Sequence, residues 1–207
     1  MGALQRAIVS PQYGQSDVDL SSASQELDDL VLLKRMARRD ETALDILYTR
    51  HAPALLGYLL NLVGDRFEAE EILQDTFVAA WKFAGRFQGR SRVRTWLFSI
   101  AHRQARDRHR RHSLAIDSDF DSSDAADPAP GPEDYVLAQA ETTELAALVS
   151  QLRPLQREVL VLAFAYELSY AEIALVLDVP VGTVKSRLNS AKRALQALAQ
   201  GREEKDR

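Results

Sequence analysis

The residues most able to do chemistry in this sequence are basic, and they lie in one run from Lys82 to Arg111. This run holds ten Lys or Arg and a single acid, Asp107. Clustered cations neutralise phosphate groups, and an aromatic ring or a guanidinium plane can receive an unstacked base. The residue types therefore indicate contact with nucleic acid, and a solvated basic helix is the alternative.

The second half of this run has helical periodicity over Arg94–Arg111, with an inward stripe of Leu97, Ile100, Ala101 and Gln104. The side chains facing away are polar near the start and basic toward the end: Thr95, Ser99, His102, Arg103, Arg106 and Arg110. The loop ahead of the helix carries an aromatic residue and two arginines: Phe87, Arg90 and Arg92. Loop and helix together predict one nucleic-acid surface.

A second candidate surface lies within Ser169–Leu198. Pro180 interrupts the helical pattern, because proline disfavours helix for the residue before it. After this break, apolar residues from Val184 to Leu198 follow one line, and the opposite or flanking positions are small, polar or basic: Lys185, Ser186, Arg187, Asn189, Ser190 and Arg193. A short helix, a tight turn and such a second helix predict a helix-turn-helix that reads DNA in the major groove. An ordinary helical hairpin is the alternative.

A third helix is predicted over Arg66–Ala84. One stripe is apolar and predicts core: Ala69, Leu73, Phe77, Ala80 and Ala84. The opposite face carries Glu68, Glu71, Asp75 and Lys82. On periodicity alone, solvation is the default reading of this charged face.

These helices must be positioned by an all-α fold, because no convincing strand pattern occurs. We expect two small helical domains joined by a flexible acidic linker. The predicted boundaries are a flexible leader at 1–27, a first block at 28–112, the linker at 113–134, a second block at 135–200 and a tail at 201–207. Asp65 with Glu68 and Ser169 with Glu172 have the spacing of helix-starting capping boxes.

The composition argues against several other classes of protein. The chain has no cysteine, so it holds no disulfide or thiolate metal site, and its four histidines are scattered. No apolar run is long enough to span a membrane, and no secretory signal is seen, so a cytoplasmic protein is expected. No nucleophile–base pair, phosphate loop or ligand cluster points to an enzyme, a cofactor or a metal.

The two blocks, taken together, resemble the extracytoplasmic-function (ECF) type of the sigma-70 family. The first block resembles sigma region 2 in Ala69-Glu70-Glu71-x-Leu73-Gln74-Asp75-Thr76-Phe77-x-x-x-Trp81 and Phe87-x-Gly89-x-Ser91-x-x-x-Thr95-Trp96-Leu97-x-x-Ile100-Ala101. The second resembles region 4 in Leu152-x-Pro154-x-x-Arg157-Glu158, Ser169-Tyr170-x-Glu172-Ile173-Ala174 and Val179-Pro180-x-Gly182-Thr183-Val184-Lys185-Ser186-Arg187-Leu188.

The resemblance implies a sigma factor that directs RNA polymerase to promoters, with three sets of site residues. Contact with the clamp helices of the largest polymerase subunit is implied for Glu70, Glu71, Leu73, Gln74, Asp75 and Phe77. Capture and melting of the −10 element is implied for the loop and helix of the basic run, and −35 reading for Thr183, Lys185, Ser186, Arg187, Asn189, Ser190 and Arg193. The flap of the second polymerase subunit, promoter DNA and an anti-sigma factor are the other implied partners.

Two departures from the family pattern affect DNA specificity. Arg103 stands where the family often has an asparagine, and Asn189-Ser190 stands where it often has an aromatic or basic pair. The main rival to the sigma interpretation is a stand-alone helix-turn-helix regulator that binds an operator without polymerase. That rival leaves the surfaces of the first block unused.

Overall fold

The computed structural model describes residues 17–117 and 146–205, with side chains described over 25–110 and 146–200. Every regular element in these ranges is helical, which confirms the all-α prediction. The elements are α1 (Asp17–Ala37), α2 (Glu41–Val63), α3 (Arg66–Phe83), a 3-10 turn (Ala84–Arg86), α4 (Val93–Asp117), α5 (Pro154–Phe164), α6 (Tyr170–Leu177) and α7 (Val181–Lys205). Residues 146–150 are helical as well. None of the described helices is both long and apolar enough to cross a membrane.

The helix starts follow short polar side chains, as the sequence predicts. Asp65 accepts a hydrogen bond from the Glu68 N–H at 2.7 Å and starts α3. At α6 the capping box is complete, because Ser169 and Glu172 each satisfy a free N–H of the other residue. Asp178 ends α6 with φ 53°, a left-handed conformation that Asp tolerates better than most residues. The break and the restart at Val181 form the predicted helix-turn-helix.

Helices α1 to α4 form the first block around a core of large apolar side chains. Leu47, Leu55 and Leu59 of α2 are at most 1% exposed and belong to one buried cluster with Ile72 of α3 and Phe98 of α4. Truncating one such leucine to alanine costs about 2–5 kcal/mol, since a cavity is left in a close-packed interior. This core fixes the direction in which the outer faces of α3 and α4 point.

Helices α5 to α7 form the second block, and it packs directly on the first. Val159, Leu162, Ile173 and Val184 belong to the same buried cluster as the core of the first block. In the contact between blocks, α4 lies against α6 and α2 lies against α5. A smaller cluster of Leu148, Leu152, Ala191 and Leu195 attaches residues 146–152 to α7. The two blocks therefore share one continuous core.

Three helices extend across the domain boundaries that the sequence predicts. Helix α1 begins at Asp17, inside the predicted leader 1–27, and Glu26 anchors it by accepting from the Val93 N–H at 2.9 Å. Helix α4 runs to Asp117, past the predicted start of the linker, and α7 runs to Lys205 inside the predicted tail. The remainder of the linker, 118–134, lies outside the described residues, as do 1–16 of the leader.

We expect Asp29→Ala to lower the free energy of unfolding by about 3–5 kcal/mol, because it leaves the partly buried Arg50 guanidinium and the buried His51 ring without their shared carboxylate partner. Asp29 is 2% exposed, its Oδ2 lies 2.8 Å from His51 Nε2, and its Oδ1 accepts from Arg50. Urea unfolding followed by circular dichroism measures the loss. Asp28→Ala is the matched control, since Asp28 is exposed and should change stability by less than about 0.5 kcal/mol. Equal effects of the two changes would contradict the role of the Asp29 cluster.

Candidate nucleic-acid interface

The later turns of α4 carry an open basic strip. Arg103, Arg106 and Arg110 are all exposed, and their spacing of three and four residues places them on one face. Arg110 lies 3.6 Å from Asp107 in an exposed pair within the helix. An exposed pair of this kind is weak, so the arginine remains able to bind a phosphate. This strip is where sequence periodicity placed it.

The first turns of α4 are not open, because the second block lies on them. Thr95 is 1% exposed and donates its hydroxyl hydrogen to Glu172 Oε1 at 2.9 Å. Arg92 Nε lies 3.4 Å from the same oxygen. Further along α4, His102 Nδ1 lies 3.0 Å from Glu158 Oε1. Three predicted −10 residues are therefore bound by carboxylates of the second block.

Of the remaining predicted −10 residues, Phe87 and Arg90 lie in the loop before α4, and Ser99 lies within α4. Arg90 is exposed, whereas Phe87 is half-buried against Trp96, with ring centroids 5.2 Å apart. Gly89 has φ +67°, a left-handed conformation that other residues adopt at a cost. Ser99 donates to the Trp96 carbonyl at 2.7 Å, so its hydroxyl hydrogen is used within α4.

Helix α3 presents a mixed acidic and polar face. Gln74 and Asp75 are exposed, Glu70 pairs with Arg66 at 2.9 Å, and Glu71 pairs with Arg108 of α4. The other two predicted polymerase contacts, Leu73 and Phe77, are 4% and 5% exposed and lie in the core. In this structure those two side chains support the face from beneath and do not form its surface.

Two apolar residues on α3 lie at the surface without having been predicted as contacts. Phe67 is 71% exposed and Val78 is 49% exposed. Their spacing from Glu71 and Gln74 places them on the same side of the helix. The helical spacing could have identified them, since both lie off the apolar stripe. We define the α3 face as Phe67, Glu71, Gln74, Asp75 and Val78.

The outer face of α7 is largely open. Lys185, Ser186, Asn189 and Arg193 are exposed, and Thr183 and Arg187 are partly so. The Ser190 hydroxyl accepts a hydrogen bond from the Gln156 amide of α5 at 2.8 Å. Ser190 therefore ties the recognition helix to its support, while its neighbours remain free to reach a groove.

Metal chemistry finds no support in the residues that the structure describes. Nowhere in 17–117 or 146–205 do three or more His, Asp or Glu side chains stand in a group that could hold a metal ion. His51 and His102 instead bind carboxylates, and both contacts serve packing between helices.

Comparison with known proteins identifies the family of both helical blocks. The family model described as "Sigma-70 region 2" matches residues 47–114, and "Sigma-70, region 4" matches 142–195. The chain is 33% identical to the RNA polymerase sigma-H factor of Pseudomonas aeruginosa, over 83% of this chain and 94% of that protein. It is 30% identical to the ECF RNA polymerase sigma factor SigK of Mycobacterium sp. (strain KMS), over 86% of this chain and 93% of that protein.

A solved structure has a similar fold. It contains the sigma factor RpoE of Bartonella quintana in complex with the anti-sigma factor NepR, with a TM-score of 0.60 and 25% identity. The alignment covers 75% of this chain and 96% of that one. The family and the order of the two regions therefore agree with the sequence analysis. The chain belongs to the sigma-70 family as a factor of the ECF type, and it directs promoter-specific initiation by RNA polymerase.

Proposed function

We propose that three faces divide the work of initiation among them. The α3 face binds the clamp helices of the largest polymerase subunit, the 87–92 loop with α4 captures and melts the −10 element, and α7 reads the −35 element. The observation that carries this assignment is the separate exposure of Gln74 and Asp75, of the arginine strip on α4, and of the polar face of α7. The domain roles follow: 28–112 acts as region 2 and 135–200 as region 4, with 113–134 joining them.

The chemistry of α4 fits the melting of DNA. Extruding a base from the duplex costs a few kcal/mol, which a fitted pocket and phosphate contacts must offset. Arg103, Arg106 and Arg110 supply cations along one strip, and Phe87 with Trp96 supplies aromatic surface at the other end. Stacking on an aromatic side chain stabilises an unpaired base by about 1–3 kcal/mol. The protein itself contributes binding energy, and we assign it no catalytic residue.

The chemistry of α7 fits reading of a duplex in the major groove. Small polar residues allow the helix to approach base edges, and flanking cations hold phosphates. We expect Asn189→Ala to reduce discrimination at one −35 base pair by about 1–3 kcal/mol, because an asparagine amide can pair with an adenine edge. We expect Lys185→Ala to weaken all sequences alike and to reduce the salt slope by about 1. Competition binding by holoenzyme on a −35 library, at two salt concentrations, separates the two effects.

The partners are proposed from the family and from the solved relative. RpoE of Bartonella quintana was solved with an anti-sigma factor, and we propose that an anti-sigma factor likewise restrains this chain. Any thiol-based switch would lie in that partner, because this chain has no cysteine. The second block would also contact the flap of the second polymerase subunit. We place the protein in the cytoplasm with the polymerase.

A binding experiment on fragments of the source genome separates this function from that of a stand-alone regulator. With core polymerase present, we expect selective retention of fragments that share spaced −35 and −10 elements. Without core, we expect no selective retention. A stand-alone regulator would instead retain the same fragments with or without polymerase, at palindromic sites that match a dimer.

A further inference from the structure

Helix α4 takes the cap at its start from another helix. In α2, α3 and α6 the capping side chain belongs to the residue directly before the helix: Asp40, Asp65 and Ser169. Arg92, which precedes α4, has only donors in its side chain and accepts no hydrogen bond there. The Val93 N–H donates instead to Glu26 Oε1 at 2.9 Å. Glu26 belongs to α1 and lies 67 positions earlier in the chain.

The carboxylate of Glu26 is held beside α4 by specific interactions. Partial burial raises the pKa of Glu26 above its ordinary value, and the nearby charge of Asp29 acts in the same direction. The hydrogen bond from Val93 and the positive charge of Arg92 act against this rise, because both favour the charged carboxylate. The free N–H groups at the start of a helix also favour a negative charge. The contact with α4 therefore offsets part of the cost of burying Glu26.

Helix α1 is itself fixed on the first block, so it can hold other segments in place. Leu33 and Met36 are 2% and 1% exposed and belong to the main buried cluster. Asp29 Oδ2 lies 2.8 Å from His51 Nε2 of α2, and both side chains are buried. These anchors follow Glu26 within about three helical turns. The cap of α4 thus projects from a rigid support.

The same helix holds the other end of the loop that precedes α4. The 3-10 turn Ala84–Arg86 packs on α1. A Cβ at Gly85 would stand 3.9 Å from the Cβ of Ala37, at the end of α1. Glu26 and Ala37 lie about 16 Å apart along α1, at about 1.5 Å per residue. One rigid helix therefore fixes both ends of the 87–92 loop and their separation.

The 87–92 loop has the features of a binding loop whose shape must be set in advance. Phe87 packs on Trp96 with ring centroids 5.2 Å apart, and Gly89 has φ +67°. Arg90 is exposed. Ordering a loop costs conformational free energy, and a loop that is already ordered avoids this cost when a base enters. Support at both ends of the loop therefore favours capture of a base.

We propose that Glu26 is a positioning residue for −10 capture, which caps α4 from α1 and so holds the 87–92 loop in the shape that receives an unpaired base. This role rests on the proposed function of the loop. Glu26 acts through the backbone of Val93, which is 0% exposed, and does not itself touch the base. Helix α1 thereby becomes part of the surface that melts DNA.

The test uses holoenzyme assembled from core polymerase and each variant. Its affinity is measured for fork-junction DNA with a duplex −35 element and a single-stranded non-template −10 element, built from a promoter that run-off transcription identifies. A second series of forks lacks one −10 base each. Glu26→Ala removes the acceptor, whereas Glu26→Gln keeps one in an uncharged amide. Asp28→Ala is the matched control, since it removes an exposed carboxylate from the same turn of α1.

We expect Glu26→Ala to bind the intact fork about tenfold more weakly than the wild type, which is the scale of a lost helix cap. Glu26→Gln should stay within about threefold, because its amide oxygen still accepts from Val93. Asp28→Ala should match the wild type. On the fork that lacks the captured base, the wild type and Glu26→Ala should bind alike, because the shape of the loop no longer matters. All variants should bind core polymerase equally.

Two results would overturn the positioning role of Glu26. One is an unchanged affinity of Glu26→Ala for the intact fork, and the other is an equal loss on every fork, including the fork without the captured base. Should Glu26→Ala fail to fold by circular dichroism, Glu26→Met keeps the length and helix propensity of the side chain without its acceptor, and the same comparisons apply. Wild-type holoenzyme that binds intact and base-deleted forks alike would instead refute the proposed function of the loop, whichever residue stands at position 26.

Discussion

Arg106→Glu is expected to reduce open-complex formation by roughly 10- to 100-fold while leaving the affinity for core polymerase within about twofold of the wild type. Arg106 is exposed in the middle of the arginine strip on α4, away from the α3 face. The substitution removes one phosphate contact and places a like charge against the DNA backbone, which costs several kcal/mol where the approach is close. Permanganate reactivity of unpaired thymines measures opening, and a competition assay measures core binding.

Arg38→Glu makes the same charge reversal in the same block and serves as its control. Arg38 is exposed and lies in the turn after α1, outside the α4 strip. We expect it to leave promoter opening unchanged. An Arg106→Glu variant that loses opening and core binding to the same extent would contradict the assignment of separate faces to α3 and α4.

Asp75→Arg is expected to reduce the affinity for core polymerase by about 10- to 100-fold. Asp75 is exposed at the centre of the α3 face, flanked by Gln74 and the exposed Val78. A reversed charge at the middle of a protein interface opposes the complementary charge of the partner, and such like-charge contacts cost several kcal/mol. Because the side chain is exposed, the fold should be unaffected. Titration of labelled protein with core polymerase gives the dissociation constant.

Asp45→Arg provides the comparison for this change. Asp45 is exposed on α2 and is not part of the α3 face. We expect core binding to be preserved there, and the thermal midpoints of both variants to stay close to that of the wild type. Retention of full affinity by Asp75→Arg would mean that polymerase docks on another surface of the first block.

Local features of the sequence predicted the elements and most of the exposed site. The capping pairs at Asp65 and Ser169 and the break at Pro180 depend on residues within one turn of each other, so their spacing in the chain is enough. The arginine strip on α4 and the polar face of α7 follow from helical periodicity in the same way. Periodicity also placed Leu73 and Phe77 in the core, and the structure agrees. The family resemblance had assigned those two to the docking surface.

Contacts between distant residues could not be predicted from the sequence. Tyr58 and Glu158 are one hundred positions apart, and Thr95 and Glu172 are 77 apart. Nothing in the local pattern marks either glutamate as a partner of the α4 face, and Glu172 is already explained by its capping box. Helix α1 is held by another contact between distant residues. Glu26 is held by the Val93 N–H, a contact that spans 67 positions.

The central claim is that this chain confers promoter-specific initiation on core RNA polymerase, and run-off transcription tests it most directly. Core polymerase is incubated with fragments of the source genome, with and without the purified protein, and the transcript ends are mapped. The account predicts start sites that require the protein and share spaced −35 and −10 elements. Core polymerase that is bound by the protein yet starts no new transcripts, or a protein that binds duplex DNA without ever engaging core, would contradict it.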